Sequence, residues 1–232
     1  VRDIEAVLFD LDGTLVDHDG SAAAAIAGAF PGVDAAWLVP RWNELGEAAV
    51  ERYLAGELDF TGQRRARITA LADELGLGTW DDARADAWFA AYTVRYEAAW
   101  RASPDAPGAL AALAARGLPL GVITNGDVRQ QRAKLARTGL AELLPHLTAS
   151  SEAGCAKPAA EIFHTACAGL GLAPGAVAYV GDRLATDARG AAAAGLTGVW
   201  LDRSDGPAPD HAGVVRITGL DALPRVLADG PG

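Results

Sequence analysis

Short apolar runs separated by helical stretches organise the chain. Residues 4–9 form a mostly apolar run that ends at Asp10, and LPLGVIT at 118–124, AVAYV at 176–180 and TGVWL at 197–201 repeat the pattern. Each run is apolar at successive positions and bounded by Gly, Asp or Asn, so each reads as a strand covered on both faces. HLTAS at 146–150 is a weaker strand candidate, and 214–217 a candidate for a late edge strand. Between the runs, 107–116, 128–138, 159–171 and 185–194 carry helix formers, with Gly117, Gly139, Gly171 and Gly195 as stop signals. Strands alternating with helices predict an α/β fold with a parallel sheet and right-handed crossovers.

Residues 17–102 break the alternation. No convincing strand lies there; helices are predicted near 21–30, 41–54, 63–75 and 81–101, and five of the six tryptophans (Trp37, Trp42, Trp80, Trp88, Trp100) fall inside. The expected organisation is a core domain made of 1–16 and 103–232, with 17–102 inserted as a separate helical domain. A Pro/Gly/Asp-rich loop spans 202–213.

Composition narrows the setting. Half of the 232 residues are hydrophobic, enough for a packed core of this length. The net charge of −10 opposes nonspecific binding to nucleic acid or to anionic membranes, which carry the same sign. The two cysteines, Cys155 and Cys167, form neither a disulfide framework nor a metal-binding spacing. With no leader pattern and no apolar run near the roughly 20 residues that span a bilayer, a reduced, cytoplasmic setting is expected.

Four places carry candidate chemistry. Phe9-Asp10-Leu11-Asp12-Gly13-Thr14 puts two carboxylates at a strand end, where open parallel sheets bind ligands. Asp10 there is a candidate nucleophile, and Asp12 a candidate proton donor and acceptor. Read alone, D-x-D-G is also an ordinary turn. Thr124-Asn125-Gly126 follows a strand and precedes a helix, a corner suited to phosphate or simply capped by Asp127. Lys157 precedes Pro158 in a loop, a place where most lysines are merely solvated. Asp182, at the strand end in Gly181-Asp182-Arg183-Leu184-Ala185-Thr186-Asp187, suits a hard cation such as Mg²⁺, and Asp187 is placed to pair with Lys157.

Taken together and in this order, D-x-D-G-T, Thr124, Lys157-Pro158 and G-D-x-x-x-x-D resemble the motif set of the haloacid-dehalogenase-like (HAD) hydrolase superfamily over most of the chain. The resemblance implies a doubly wound, Rossmann-like core with an α-helical cap, and a Mg²⁺-dependent phosphatase acting on a small phosphorylated metabolite. It assigns Asp10 as nucleophile and metal ligand. Asp12 is general acid and base, its backbone carbonyl on the metal. Thr124, Asn125, Gly126 and Lys157 hold the phosphoryl group; Asp182 completes the metal ligands, and Asp187 supports the site from behind. The cap implied for 17–102 closes over the pocket and chooses the substrate, with His18, Asp19, Arg41, Trp42, Asn43, Arg52 and Tyr53 as candidate recognition groups. No nucleic-acid or membrane partner is expected, and the chain is expected to act as a monomer or homodimer.

Three alternatives remain within the enzymes. A 2-haloacid dehalogenase shares the Asp nucleophile but typically lacks an acid at the Asp12 position. A phosphonatase brings a lysine from the cap, yet no lysine precedes Lys134 here. A phosphomutase passes the phosphoryl group on to substrate. Outside the enzymes, a binding module that has kept the fold is the further alternative.

Overall fold

The apolar runs pair into one six-stranded sheet, parallel throughout: β1 (Ala6–Phe9), β2 (Leu120–Thr124), β3 (His146–Ala149), β4 (Val177–Gly181), β5 (Thr197–Leu201) and β6 (Val215–Ile217), in the order β3-β2-β1-β4-β5-β6. The computed structural model describes residues 4–204, 206 and 209–229; part of the 202–213 loop therefore lies outside the described residues. In chain order the α-helices are α1 (His18–Ala29), α2 (Ala35–Leu54), α3 (Phe60–Glu74), α4 (Asp82–Ala98), α5 (Ala106–Ala114), α6 (Val128–Arg137), α7 (Ser150–Ala153), α8 (Ala160–Leu170), α9 (Gly190–Ala193) and α10 (Leu223–Asp229). Among the described residues, no helix is long and apolar enough to cross a membrane.

Alternation along each strand explains the unbroken apolar runs. Val7 and Phe9 of β1, Val122 of β2 and Ala178 and Val180 of β4 join one buried cluster with Leu110 and Leu113 of α5. Ala6 and Leu8, Ile123, Val177 and Tyr179 join a second cluster with Ile162, Phe163 and Cys167 of α8. Successive side chains point to opposite faces, and a sheet with apolar layers on both faces needs apolar residues at every position. The edge strand β3 is correspondingly weaker in sequence, with His146 exposed and only Ala149 buried.

The chain divides into two compact units, one of residues 1–18 and 100–232, the other of 19–99. In the first, Val16 bridges Ala102 and the Asp17 N–H donates to the Arg101 carbonyl, so the outgoing and returning segments lie side by side. The helical unit has its own core: Trp42 is fully buried, its indole N–H donates to the Tyr92 hydroxyl (3.1 Å), and Trp88, Phe89 and Tyr92 pack around it. The Arg67 guanidinium lies over the Trp42 ring and donates to the Trp42 carbonyl.

Helices α7 and α10 were not among the predicted elements, and two predicted helices differ from expectation. Helix α2 begins at Ala35 rather than near 41: Asp34 caps it, accepting from the Ala36 N–H, and burial of Leu38 and Trp42 carries the helix through Pro40. The helix expected over 185–194 is instead one π-helical turn, Leu184–Arg189, leading into the short α9.

Candidate active site

The strand order reverses between β1 and β4, and the crevice beyond the ends of those two strands is where such sheets bind ligands. Asp10 follows β1, Asp182 follows β4, and Thr124 ends β2. The Asp10 N–H donates to the Val180 carbonyl (2.8 Å), tying the tips of β1 and β4 together. Lys157, whose peptide bond to Pro158 is cis, reaches into this crevice and is buried. Its ammonium donates to Asp10 Oδ1 (2.6 Å), Asp187 Oδ1 (2.7 Å) and the Tyr179 hydroxyl (2.7 Å). Three donors meet three acceptors. Burial would lower the Lys157 pKa, but Asp10 and Asp187 outweigh it and hold the ammonium above its usual range. The Tyr179 hydroxyl, on β4, donates in turn to the Ile123 carbonyl (2.9 Å).

Asp10, Asp182 and Asp187 each offer a carboxylate oxygen, all within 4.8 Å of one another. The Thr14 hydroxyl accepts from the Asp182 N–H (3.1 Å) and lies 3.2 Å from Asp182 Oδ1 and 3.4 Å from Asp10 Oδ2, donating to one at a time. Two glycines make the approach possible. Gly13 has a φ of +91°, and a Cβ there would sit 2.6 Å from Asp182 Oδ2; a Cβ on Gly181 would sit 2.4 Å from the Asp187 Cβ. Burial pushes the Asp10 carboxyl up to about 7; Lys157 pulls it back, while Asp187 and Asp182 add to the rise. Asp182 is raised as well, first by burial and then by Asp187.

This donor set fits a divalent cation. Three crowded carboxylates against one ammonium leave an excess of negative charge, and hard oxygen ligands are what Mg²⁺ takes. Asp187 is already engaged, Oδ1 by Lys157 and Oδ2 by the Arg183 N–H (3.0 Å), which leaves Asp10 and Asp182 as the carboxylates available to an ion.

The Asp12 carboxylate does not join that cluster, leaving the backbone carbonyl as its part of the metal assignment. Lys134 Nζ donates to its Oδ1 (2.5 Å), Gln131 Nε2 to its Oδ2 (3.0 Å), and His18 Nδ1 lies 3.7 Å from Oδ1. Burial would raise its pKa, but His18 and Lys134 together hold it well below the usual carboxylate range. Gln131, Lys134 and Tyr179 lie outside the four motifs, and Thr14 closes the first of them.

At Thr124-Asn125-Gly126, the Asn125 side chain clamps the Lys157 backbone, accepting from its N–H (2.8 Å) and donating to its carbonyl (2.9 Å). The Gly126 N–H, expected to meet the phosphoryl group, donates to Ser150 Oγ (3.0 Å). In the helical unit the recognition candidates also separate. Trp42 is core, Arg41 forms a bidentate pair with Glu74 and a third bond to Glu44, and Arg52 pairs with Glu57. Asn43 and Tyr53 are exposed.

Comparison with known proteins finds relatives over most of the chain. The chain is 32% identical over 236 aligned residues to phosphoserine phosphatase of Thermus thermophilus, covering 90% of this chain and 93% of that one. It is 25% identical to (S)-2-haloacid dehalogenase 2 of a Pseudomonas species, covering 98% and 97%. The Bacillus subtilis protein YfnB, solved bound to magnesium, shares the fold with a TM-score of 0.84 at 22% identity over 97% of this chain and 99% of that one. The haloacid dehalogenase-like hydrolase family matches residues 4–195, which contain the acid cluster, the two lysines and the helical insert alike, and the chain belongs to that family.

Proposed function

We propose that this hydrolase is a Mg²⁺-dependent phosphatase of small phosphate monoesters. The observation that carries the reading is the separation of two carboxylates only two residues apart. Asp10 lies among Lys157, Asp182 and Asp187, whereas Asp12 has a cationic setting of its own. Asp12 thus stands apart from the attacking carboxylate, free to move a proton at the leaving oxygen, whereas halide departure needs no proton.

In the first step an Asp10 oxygen attacks phosphorus. The bond to the alcohol oxygen breaks, and that oxygen takes a proton from the Asp12 carboxyl, whose protonated form is favoured by the negative charge of the phosphate bound beside it. In the second step water attacks the aspartyl-phosphate and gives its proton to the Asp12 carboxylate. The bond to Asp10 breaks and phosphate leaves. Thr124 and the Asn125 backbone hold the phosphoryl oxygens, and Lys157, which trades its bond to Asp10 for one to a phosphoryl oxygen, offsets the repulsion between carboxylate and phosphate. Asp10, Asp182 and the Asp12 carbonyl would hold Mg²⁺, which would supply the remaining positive charge. The phosphatase relative, 32% identical and aligned over 90% of this chain, supports this reading.

The test is phosphate release from a panel of phosphorylated metabolites and an aryl phosphate, run beside chloride release from 2-chloropropionate. Metal-dependent phosphate release is the expected outcome. Chloride release without phosphate release from any ester makes the chain a dehalogenase.

A further inference from the structure

We propose that Gln131 and Lys134 are positioning residues that fix the Asp12 carboxylate for proton transfer, an inference that rests on the phosphatase reading above. Both lie on α6, three residues apart and so on one face of the helix. Each takes one Asp12 oxygen: Lys134 Oδ1 at 2.5 Å and Gln131 Oδ2 at 3.0 Å. Donors on both oxygens fix the plane of the carboxylate as well as its place. The same Gln131 amide donates to Thr124 Oγ1 (2.9 Å), so the proton carrier is tied directly to the threonine that ends β2.

The arrangement is expensive for the fold. Gln131 is buried, and its Oε1 accepts from no group among the described residues. Lys134 has a side chain only 2% exposed, beside the buried Leu135. A buried ammonium and a half-satisfied amide both destabilise relative to apolar residues of similar volume. Packing alone does not call for them; the Asp12 carboxylate does. Two further features agree. A Cβ on Gly126 would fall 2.7 Å from Gln131 Nε2, so this glycine leaves room for the amide. The Lys134 ammonium also stands over the Trp100 ring, 5.2 Å from its centroid, which limits where it can point.

Lys134→Met, Gln131→Leu and Asp12→Ala, each in the full chain, test this through kcat/KM on phosphate esters graded from 4-nitrophenyl through phenyl to alkyl. The constant covers the steps up to alcohol departure, so it reads leaving-group protonation rather than aspartyl-phosphate hydrolysis. An acidic phenol departs with little help, and an alkyl alcohol needs the proton. Lys134→Met and Gln131→Leu are each expected to lower the alkyl-to-aryl ratio by about tenfold or more, part of the general acid's full contribution. In the Asp12→Ala background neither is expected to move the ratio further. A misfolded fraction scales all substrates alike and leaves the ratio readable, and Gln131→Leu carries the test if Lys134→Met does not fold.

Unchanged ratios in both variants, or equal shifts with and without Asp12, overturn the proposal while the phosphatase reading stands. A parent enzyme that releases no phosphate from any ester removes both.

Discussion

Replacing Gly181 by alanine perturbs the site without touching a charged group. The new Cβ would lie 2.4 Å from Asp187 Cβ, 2.5 Å from its Cγ and 2.6 Å from its Oδ2. Carbon atoms rest about 3.5–4 Å apart, so one partner must move by roughly 1 Å. The obstacle is a Cβ anchored in the π-helical turn, with Oδ2 held by the Arg183 N–H, so a rotamer change does not relieve it. Asp187 is displaced from Lys157, whose ammonium it accepts at 2.7 Å, and the aim of that ammonium on Asp10 changes with it. Overpacking of this kind costs about 1–3 kcal/mol. At about 2–4 °C per kcal/mol for a chain of this size, Tm falls by roughly 2–12 °C. A misplacement near 1 Å at the reacting centre costs on the order of 10²-fold in rate. Phosphate release at saturating Mg²⁺, well below the variant's Tm, and thermal unfolding by circular dichroism measure the two effects. Gly169→Ala, on α8 with open space around the new methyl, is the control and is expected to change neither adversely. If Gly181→Ala keeps activity within about threefold and melts with the parent, the close approach of Asp187 is not what holds Lys157, and the reasoning fails.

Asp10→Asn is expected to abolish turnover while preserving the fold, because the amide keeps the shape and loses the nucleophile; residual activity within about tenfold of the parent, on a phosphate-release assay, refutes the assignment. Chelation is expected to remove activity and Mg²⁺ to restore it, with Ca²⁺ far less effective, since so few protein ligands suit a small ion that keeps its waters; full activity without any divalent ion contradicts this. Asp105 accepts both Arg203 Nη atoms (2.9 Å each) and the Leu220 N–H (2.9 Å); burial alone would raise its pKa, but these partners hold it below the usual value. The stability it confers is therefore present above the unfolded-state pKa and lost as pH falls through the depressed folded-state value, so Asp105→Asn should lower Tm near neutrality by an amount worth about 1 kcal/mol, discounted for the partly exposed Arg203, and the difference should close in acid. An equal loss at both ends of a pH–Tm series contradicts the pair's role.

The strands were legible because a sheet covered on both faces leaves no polar alternation to confuse with a turn, and TGVWL matches β5 residue for residue. Helix α2 was not, because Pro40 reads as a boundary while the cap that starts the helix, Asp34, stands six residues earlier. The four motifs marked Asp10, Thr124, Lys157 and Asp182, all of which sit at strand ends or in a loop. Their supports were hidden for a different reason. Gln131 and Lys134 occupy ordinary positions on an amphipathic helix, and their partner lies 119 and 122 residues away. In the helical unit, Arg41 and Trp42 looked like recognition groups because charge and aromaticity draw attention. Glu74, which pairs with Arg41, and Tyr92, which receives the Trp42 N–H, are distant in sequence.

One signal in the composition was available and has a physical basis. The chain holds eighteen arginines and only two lysines, and both lysines lie on the D-x-D carboxylates. Exposed pairs such as Arg65 with Asp82 and Asp86, or Arg41 with Glu74, use the planar guanidinium fork, which grips a carboxylate by two parallel bonds. The buried positions demand the opposite geometry. Around Lys157 the acceptors come from Asp10, Tyr179 and Asp187, on three different segments, and converge on one point. A compact ammonium with three donors satisfies such a pocket; a flat guanidinium, its donors fixed in a wide fork, would leave some of them unpaired. Lys134 meets the same constraint on a smaller scale, between a carboxylate oxygen and the face of an indole ring. In a chain that otherwise uses arginine for positive charge, lysine stands where a point charge has to fit, and in both places the fit is to a carboxylate of the D-x-D motif.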